Sequence, residues 1–412
     1  MSLSRITGMI AARPASPASL PRKVMHGLIT LLLLLPAVWM ALVVALTLVW
    51  DRAWSLFRQT RIARWLGGRL ASAAGSAAKW LLKDERDTPY LYTLFGVGIL
   101  MPAAFLGSLW WQARLSPGFS WFAVYIYHVV MMGPYMRFFA HTSTLIHKEG
   151  HQPRGLFKPR FRFLNRFFGS FLGIFYGHVP ESYPIGHLRI HHKYDNGFDD
   201  VTSTLALDRT QPAAWLVYLR QFALYWTGIS IVYHFYRRGK LEQARKMIGG
   251  MVLFYGTITA FMIYDVRFGF AYLLLPHLST ILYLAAINYT WHAFADPDNP
   301  DNDYVASLTI VDGQYNVFNE DFHVAHHLHP QMHWTEVDRH YYNNIDLYRQ
   351  NMATVFRDTQ TFEIFIWIMM RRFDRMAEHF VDLTGKLSHE QKKALLVWRM
   401  QPLKPAEARR IA

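Results

Sequence analysis

The sequence contains no cysteine. Thiolate metal ligands, disulfide bonds and a cysteine nucleophile are therefore excluded, and any metal ion must be held by nitrogen and oxygen atoms. Charged residues are also scarce, at 17% of the chain, against roughly 25% in ordinary soluble domains. The sequence has no dinucleotide-binding glycine motif, no cytochrome-like haem segment and no internal repeat, which excludes a fused electron-donor module of these kinds.

Acidic residues are outnumbered by basic ones, which gives a formal net charge of +14. A charge of this size raises the question of a nucleic-acid partner. The sequence has no zinc finger, no helix-turn-helix pattern and no aromatic–basic RNA-binding pattern. The basic residues instead flank hydrophobic runs, as they do in the cytoplasmic loops of membrane proteins. We therefore expect no nucleic-acid partner.

Hydrophobic residues make up 52% of the chain and are concentrated in six runs, near 27–50, 90–112, 119–146, 212–236, 247–264 and 268–292. A helix of about 20 apolar residues crosses a bilayer, and most of these runs reach that length. The sequence therefore predicts an all-α integral-membrane protein. The run 27–50 is longer than a signal-peptide core and no small-residue cleavage site follows it, so we expect it to be retained.

The distribution of lysine and arginine predicts the topology. Segments 51–89 and 152–211 carry eight of these residues each, whereas the turns near 113–118 and 265–267 carry one each. The positive-inside rule places the two basic segments in the cytoplasm, of a bacterial inner membrane in our interpretation. This predicts two core transmembrane hairpins, 90–146 and 247–292. Run 212–236 would start and end on the cytoplasmic side, so it would lie in the membrane interface or re-enter the membrane. Run 27–50 contains Pro36 and either crosses the membrane or re-enters it.

These features divide the chain into four predicted segments. A flexible basic tail covers residues 1–26, and an extra N-terminal hydrophobic segment with interfacial helices covers 27–89. The catalytic membrane domain covers 90–346, in which the two hairpins are capped by a cytoplasmic helical domain with a histidine-rich di-metal site. Helices in the cytoplasm or at the membrane interface cover 347–412.

Twenty histidines are present, and their spacing predicts a metal site. Residues three or four positions apart share one face of a helix, and neutral imidazole binds zinc, copper, iron and nickel. Three clusters have this spacing, and a fourth pair lies at the end of the last hydrophobic run: His147 and His151; His187, His191 and His192; His323, His326 and His327; Asn288 and His292. An alternative explanation is a patch of titrating histidines on the surface, but such patches would not recur with this spacing on one side of the membrane.

The number of histidines indicates two metal ions. A catalytic zinc ion uses three protein ligands and a water, and nine clustered histidines exceed that requirement. The zinc-protease motif H-E-x-x-H is also absent, because Glu149 follows His147 by two positions instead of one. Redox-active iron suits a site that serves apolar substrates, which makes a di-iron centre the favoured hypothesis.

The three clusters resemble the histidine boxes HxxxH, HxxxHH and HxxHH of the membrane fatty acid desaturase and hydroxylase superfamily. The flanking residues are similar too: Asn196 and Asp199 follow the second box as in the family's HH…N…D pattern, and Asn319-Glu-Asp-Phe-His323 opens an N-x-x-x-H-x-x-H-H-L-x-P box. Asn288 and His292 stand where stearoyl-CoA-type desaturases supply an asparagine, through water, and a histidine. The resemblance spans about residues 90–335.

The resemblance implies oxygen-dependent oxidation of an unactivated C–H bond in a long acyl or alkyl chain, most simply fatty acid desaturation. It implies two Fe²⁺ ions, O₂ as co-substrate and a separate electron donor such as ferredoxin, rubredoxin or a cytochrome b5-like protein with its reductase. Hydroxylation of an alkane, fatty acid or carotenoid, and decarboxylation of a fatty acid to a terminal alkene, remain open within the superfamily. A zinc membrane hydrolase and a metal transporter are the alternatives of other classes.

Further residues are candidates for secondary roles. Imidazole ligands are commonly oriented by neighbouring polar groups, and the candidates for this role are His141, Glu149, Asn196, Asp199, Asn319 and His329. A substrate tunnel between the predicted hairpins would be lined by apolar and aromatic residues; the candidates are Tyr125, Met132, Tyr135, Tyr283 and Ile287. Packing in the hydrophobic core is the commoner role for such residues.

Overall fold

The computed structural model describes residues 20–152 and 154–404, with side chains described from residue 36 onward. Most of the predicted basic tail 1–26 therefore lies outside the described residues. The chain divides into two compact units. Among the described residues, the first unit comprises Leu33–Gly186 and Trp226–Thr280, and the second comprises 20–32, His187–Tyr225 and 281–404.

The first unit is built from helices. Its α-helices, beginning with most of the helix Leu20–Arg58, are Arg61–Leu81, Thr88–Tyr92, Gly98–Leu115, Trp121–Met132, Arg137–His151, Gly173–Phe175, Ile229–Arg237, Leu241–Tyr264 and Val266–Gly269. Tighter 3₁₀ turns occur at Glu85–Asp87, Pro134–Met136 and Pro159–Leu164, and wider π-helical turns at Thr93–Val97, Phe168–Leu172 and Phe270–Leu274.

Four helical stretches among the described residues are long and apolar enough to cross a membrane: Pro36–Arg58, Glu85–Leu115, Leu241–Tyr264 and Val266–Trp291. Trp121–Met132 is a shorter apolar helix. The chain is thus a mostly helical membrane protein, as the composition predicts. The pairing of these helices into two hairpins, and the side of the membrane on which each loop lies, stay predictions.

The extra N-terminal hydrophobic segment is one helix that continues through Pro36 and ends at Arg58. It packs against the segment that begins at Trp121. The Trp39 indole Nε1 donates a 2.6 Å hydrogen bond to His128 Nδ1, and the Tyr125 hydroxyl donates a 2.7 Å bond to the Leu42 carbonyl. Although the sequence sets this helix apart from the catalytic domain, it is part of the hydrophobic packing of the first unit.

Two predicted hydrophobic runs are interrupted by glycines in the left-handed region. Run 119–146 is not one helix, because Gly133 has φ +68° and is followed by Tyr135 and Met136, which also have positive φ. A Cβ on Gly133 would overlap the Phe138 ring. Run 212–236 forms two helices, Pro212–Trp226 and Ile229–Arg237, separated at Gly228 with φ +90°. Neither helix is a candidate span among the described residues, and the interfacial position of this run stays a prediction.

The second unit has shorter elements. Its helices include a π-helical stretch that begins in the first unit, Ser182–His191, and the α-helices His192–Tyr194, Pro212–Trp226, Leu275–Trp291, Asp303–Ala306, His323–Leu328, Val337–Asn343, Ile345–Gln350, Thr361–Met369, Phe373–His379 and His389–Arg399, with a 3₁₀ turn at Trp334–Glu336. It also contains two strands, β1 (Leu308–Val311) and β2 (Thr354–Arg357), which pair in parallel. The all-α prediction is wrong for these two strands, which are short and rich in β-branched residues.

The strands fix the position of the third histidine cluster. Leu308 pairs with Thr354 in the register, and Ile310 N donates a 2.8 Å bond to the carbonyl of Asp321, two residues before His323. The helix that carries this cluster packs by its apolar residues into the same core, whose buried members are Val311, Phe322, Val324, Ala325, Val337, Tyr341, Tyr348, Ala353 and Val355. The histidines on the other positions of the helix are thereby held in a fixed direction.

The first unit depends on a close approach at Gly250. A Cβ at this position would overlap the carbonyl oxygen of Pro180, whereas a Cβ at the neighbouring Gly249 would meet nothing within 4 Å. We therefore predict that Gly250→Ala destabilises the purified protein by about 1–3 kcal/mol, through overpacking. Gly249→Ala is the matched control and should be neutral or stabilising by up to about 1 kcal/mol, because alanine favours helix.

The measurement is thermal unfolding of both variants in the same detergent. Equal midpoints for the two variants would show that Gly250 and Pro180 are not in close contact.

Candidate metal centre

His187, His192 and His326 form the first histidine cluster of the second unit. The Nε2 atoms of His187 and His192 lie 2.9 Å apart, and those of His192 and His326 lie 3.0 Å apart. His187 and His192 are five residues apart: His187 lies in the π-helical stretch Ser182–His191, whose wider turns follow an i, i+5 pattern, and His192 comes directly after it. We call these three residues cluster A.

His191, His292, His323 and His327 form a second cluster, which we call cluster B. One ligand atom from each of the four lies within 4.8 Å of the others. The Nε2 atoms of His323 and His327 are 3.1 Å apart, and those of His292 and His323 are 3.4 Å apart. His191, His292 and His323 are each at most 2% exposed. The two clusters adjoin, because His191 and His192 are consecutive residues, as are His326 and His327.

The orientation of three rings in cluster B is fixed at Nδ1. His191 Nδ1 lies 2.7 Å from a carboxylate oxygen of Asp200, and His327 Nδ1 lies 2.5 Å from one of Asp195. His292 Nδ1 lies 3.0 Å from the Ala306 carbonyl oxygen. Each of these oxygens can accept a hydrogen bond from Nδ1–H, and a neutral ring with its proton on Nδ1 carries its lone pair on Nε2.

Several Nε2 lone pairs therefore point toward one another. They repel, because a single proton can bridge only two of these nitrogens at a time. A metal ion removes this repulsion. With a metal–nitrogen bond of about 2.1 Å, ligand nitrogens lie roughly 3.0 to 3.4 Å apart in octahedral or tetrahedral geometry. Three of the nearest-neighbour separations in the two clusters, 3.0, 3.1 and 3.4 Å, fall in this range, and the fourth, 2.9 Å between His187 and His192, lies just below it. The donor set fits two nitrogen-ligated ions.

The charges around cluster B favour a bound cation. Burial lowers the pKa of His292 well below its usual value, which keeps the ring neutral. Burial also acts to lower the pKa of His191, but the Asp200 carboxylate outweighs it and raises that pKa overall. Burial acts to raise the pKa of Asp200, which His191 and Thr202 nevertheless hold below its usual range. Asp200 is therefore a fixed negative charge beside the cluster.

Asp195 is also ionised, because the neighbouring His327 outweighs the effect of burial and lowers the pKa of Asp195. Burial, with the adjacent Asp195, raises the pKa of Asp303 to about 7. Sequence reasoning selected neither Asp195 nor Asp200. The HH…N…D pattern pointed to Asp199, which is exposed, while its neighbour Asp200 is 4% exposed and contacts His191. In the sequence, Asp199 and Asp200 differ only in the number of residues that separate each of them from His191.

Aromatic stacking adds a further constraint that the sequence did not reveal. The indole of Trp291 stacks on His323, with ring centroids 4.0 Å apart and an interplanar angle of 27°. Trp291 ends the helix Leu275–Trp291, so His292 is the first residue after that helix. One helix end therefore supplies a ligand candidate to cluster B and a surface that holds another.

A buried arginine connects the cluster to the C-terminal segment. Arg209 is fully buried and donates to the carbonyls of Thr204, Arg399 and Gln401 at 2.9, 3.0 and 2.7 Å. The Thr204 hydroxyl in turn donates to the His292 carbonyl. The loop that carries Asp200 is thus held between the cluster and the end of the helix His389–Arg399.

The first histidine pair, His147 and His151, belongs to the first unit. His147 and His151 are 5% and 4% exposed, and their Nε2 atoms lie 3.0 Å apart on the helix Arg137–His151. Tyr183 stacks on His147 with ring centroids 5.4 Å apart. The i, i+4 spacing therefore places both rings on one helix face, as the sequence predicts.

The other candidates have contacts outside the two clusters. Asn288 donates its side-chain N–H to the Tyr218 hydroxyl at 2.6 Å. Asn196 holds Thr204 through its carbonyl oxygen at 2.8 Å. Asn319 donates to the Trp334 carbonyl at 2.9 Å, and the His329 ring packs against His340. Asn196 is therefore part of the loop that supports His292, and the role of Asn288 as a ligand stays a prediction.

Four of the remaining candidates are also accounted for. His141 lies on the helix Arg137–His151 of the first unit and is partly buried. Met132 is fully buried there, whereas Tyr135 is 37% exposed. In the second unit the Tyr283 ring packs edge-on against Phe362, 5.5 Å away. Ile287 is partly buried, and the substrate tunnel stays a prediction.

A family model described as fatty acid desaturase matches residues 120–357, more than half of the chain. The matched stretch includes all nine clustered histidines. No curated protein and no solved structure matches the sequence.

The contact between Asp200 and His191 leads to a direct prediction. Asp200→Asn removes the charge that orients and polarises His191, and loss of such a partner commonly lowers metal affinity about 10- to 100-fold. Asp199→Asn, one residue earlier and exposed, is the matched control and should bind metal as the wild type does. Competition with a graded chelator series measures both affinities. Equal metal retention by the two variants would contradict a role for Asp200.

Proposed function

The chain belongs to the fatty acid desaturase family, and from this membership we propose that it is a membrane-bound non-haem di-iron oxidoreductase. The proposed reaction is the desaturation of a long acyl chain. The observation that supports it most strongly is the pair of adjoining clusters, in which Nε2 atoms converge and carboxylate or carbonyl oxygens hold Nδ1. Such a nitrogen-rich pair of sites exceeds the need of a hydrolytic zinc ion.

We assign the ligands from the chemistry of the clusters. His191, His292, His323 and His327 would hold one ion, and His187, His192 and His326 would belong to the other. On the family's three-box pattern we also assign His147 and His151 as ligands, with Asn288 as a candidate that acts through water. Bound iron would supply the activation of O₂ that unactivated C–H bonds require. Asp195 and Asp200 would keep the rings in the tautomer that presents Nε2.

The overall reaction is balanced by an external reductant. A –CH₂–CH₂– unit, O₂, two electrons and two protons give –CH=CH– and two water molecules. The sequence contains no nicotinamide or haem motif, so we propose a separate donor of the ferredoxin, rubredoxin or cytochrome b5 type. The substrate would enter from the lipid bilayer, and we propose that the metal centre faces the cytoplasm of a bacterial inner membrane.

We predict about two iron atoms per chain in protein that is purified anaerobically. His323→Ala should lower the iron content and abolish turnover, because it opens one of the two sites. His379→Ala is the control, since His379 lies outside both clusters and contacts the Arg357 carbonyl. Metal analysis by plasma emission and an oxygen-consumption assay provide the two measurements. Stoichiometric zinc together with oxygen-independent turnover would favour the hydrolase instead.

The product identifies the reaction. In cells that express the wild type we expect acyl chains with one additional double bond, which are absent from cells that express His323→Ala. Mass spectrometry of total lipids and of volatiles distinguishes this outcome from the alternatives. Hydroxylated chains would assign the protein to the hydroxylases, and terminal alkenes with one carbon fewer would indicate decarboxylation.

A further inference from the structure

The first unit contains a cavity of about 190 Å³ next to the helix Arg137–His151. All the residues that line it belong to the first unit, and many are polar or charged. They include Glu149, Arg154, Arg166, Ser170, Glu181 and Ser182. The proposed reaction uses none of these side chains.

Glu149 is nine-tenths buried and lines this cavity. One of its carboxylate oxygens, Oε2, accepts a 2.9 Å hydrogen bond from the Gly169 backbone N–H. The other, Oε1, is buried and has no hydrogen-bond partner among the described residues. A buried polar oxygen without a hydrogen-bond partner is costly, so this atom indicates a ligand or solvent that can form a hydrogen bond with it.

A second carboxylate in the wall has the same property. Glu181 Oε1 accepts a 2.8 Å bond from Arg166 Nη1, whereas Glu181 Oε2 is buried and has no partner among the described residues. Both residues have positive φ, +72° at Arg166 and +70° at Glu181. Positive φ is unfavourable for side chains of this kind and is maintained only where the surrounding structure enforces it. The pair is therefore built into the wall of the cavity.

The chemistry of the wall restricts the ligand. Two open carboxylate oxygens require O–H or N–H donors from the ligand, and the serine hydroxyls of Ser170 and Ser182 can donate as well as accept. The wall carries two acidic and two basic side chains, Glu149 and Glu181 beside Arg154 and Arg166, and this mixture suits a ligand without a strong charge of its own. The volume equals that of about six water molecules at roughly 30 Å³ each, which suits a fragment with about six non-hydrogen atoms.

We propose that this cavity binds a neutral vicinal diol of glycerol size, the polar head of a glycerolipid. The carboxylates of the cavity accept hydrogen bonds from the two hydroxyl groups, and the serines and amides of the cavity form the remaining hydrogen bonds. The identification of this lipid as the substrate rests on the proposed function, whereas the binding itself does not. Free glycerol presents the same chemistry, and the experiment separates the two sources.

The test uses the full-length protein with its metal in place, purified without glycerol and assayed without O₂ or a reductant, so that binding is independent of turnover. The probes are 1-monomyristoylglycerol, methyl myristate, which has the same chain without the diol, and free glycerol. Calorimetry should show that the monoacylglycerol binds at least about ten-fold more tightly than the ester. Glu149→Gln and Glu181→Gln should each weaken its binding about 10- to 100-fold and leave the ester unaffected.

Two further variants make the result decisive. Glu242→Gln changes an exposed glutamate that pairs with Lys246, and should bind all probes as the wild type does. Ser170→Leu fills the cavity and leaves both carboxylates in place, so it should remove the preference for the diol even if a glutamine variant unfolds. Thermal unfolding of each variant reports whether it is folded.

The outcomes separate the hypotheses. Equal affinity of the wild type for the monoacylglycerol and the ester would overturn the proposal, as would a diol preference that survives in Ser170→Leu. Competition by free glycerol at concentrations near those of the monoacylglycerol would assign the site to a soluble polyol and overturn the lipid head. Diol binding by a protein that oxidises no acyl chain would refute the proposed function and leave the cavity assignment intact.

Discussion

The converging Nε2 lone pairs are the constraint on which the second unit depends. Neutral imidazoles whose Nδ1 protons are already donated cannot hydrogen-bond to one another in groups of three or four. Asp195, Asp200 and the Ala306 carbonyl fix these protons in cluster B. The strands and the helix that ends at Trp291 hold the rings at nitrogen separations of about 3 Å. The fold thus maintains an arrangement that is unfavourable without a cation.

The histidine boxes could be predicted from the sequence, but the division of their residues between the two clusters could not. Spacing of three and four residues suggested one pair for each box. In the structure, His187 meets His192, five residues away, and His191 belongs to the other cluster. A π-helical stretch produces this division, and no residue preference in the sequence distinguishes it from an α-helix. The aspartate partners were missed because their relevance depends on contacts made only after folding.

The hydrophobic runs predicted the class of protein and the positions of most helices, but not where those helices break. Gly133 and Gly228 interrupt two runs because positive φ is available to glycine at little cost. Hydropathy averages over such single residues, so a broken run and a continuous one have the same profile. Strands β1 and β2 are four residues long, too short for a period of two to emerge from the surrounding sequence.

Arg209 has a consequence for the order in which the protein matures. Its guanidinium holds the loop of Asp200 by bonding to the carbonyls of Arg399 and Gln401, which lie beyond the segment matched by the family model. Translation proceeds from the N-terminus, so the box histidines leave the ribosome well before these carbonyls exist. Cluster B therefore acquires its complete support only after synthesis has passed Gln401. We expect metal to be inserted after that point, into a chain whose hydrophobic helices are already in the membrane.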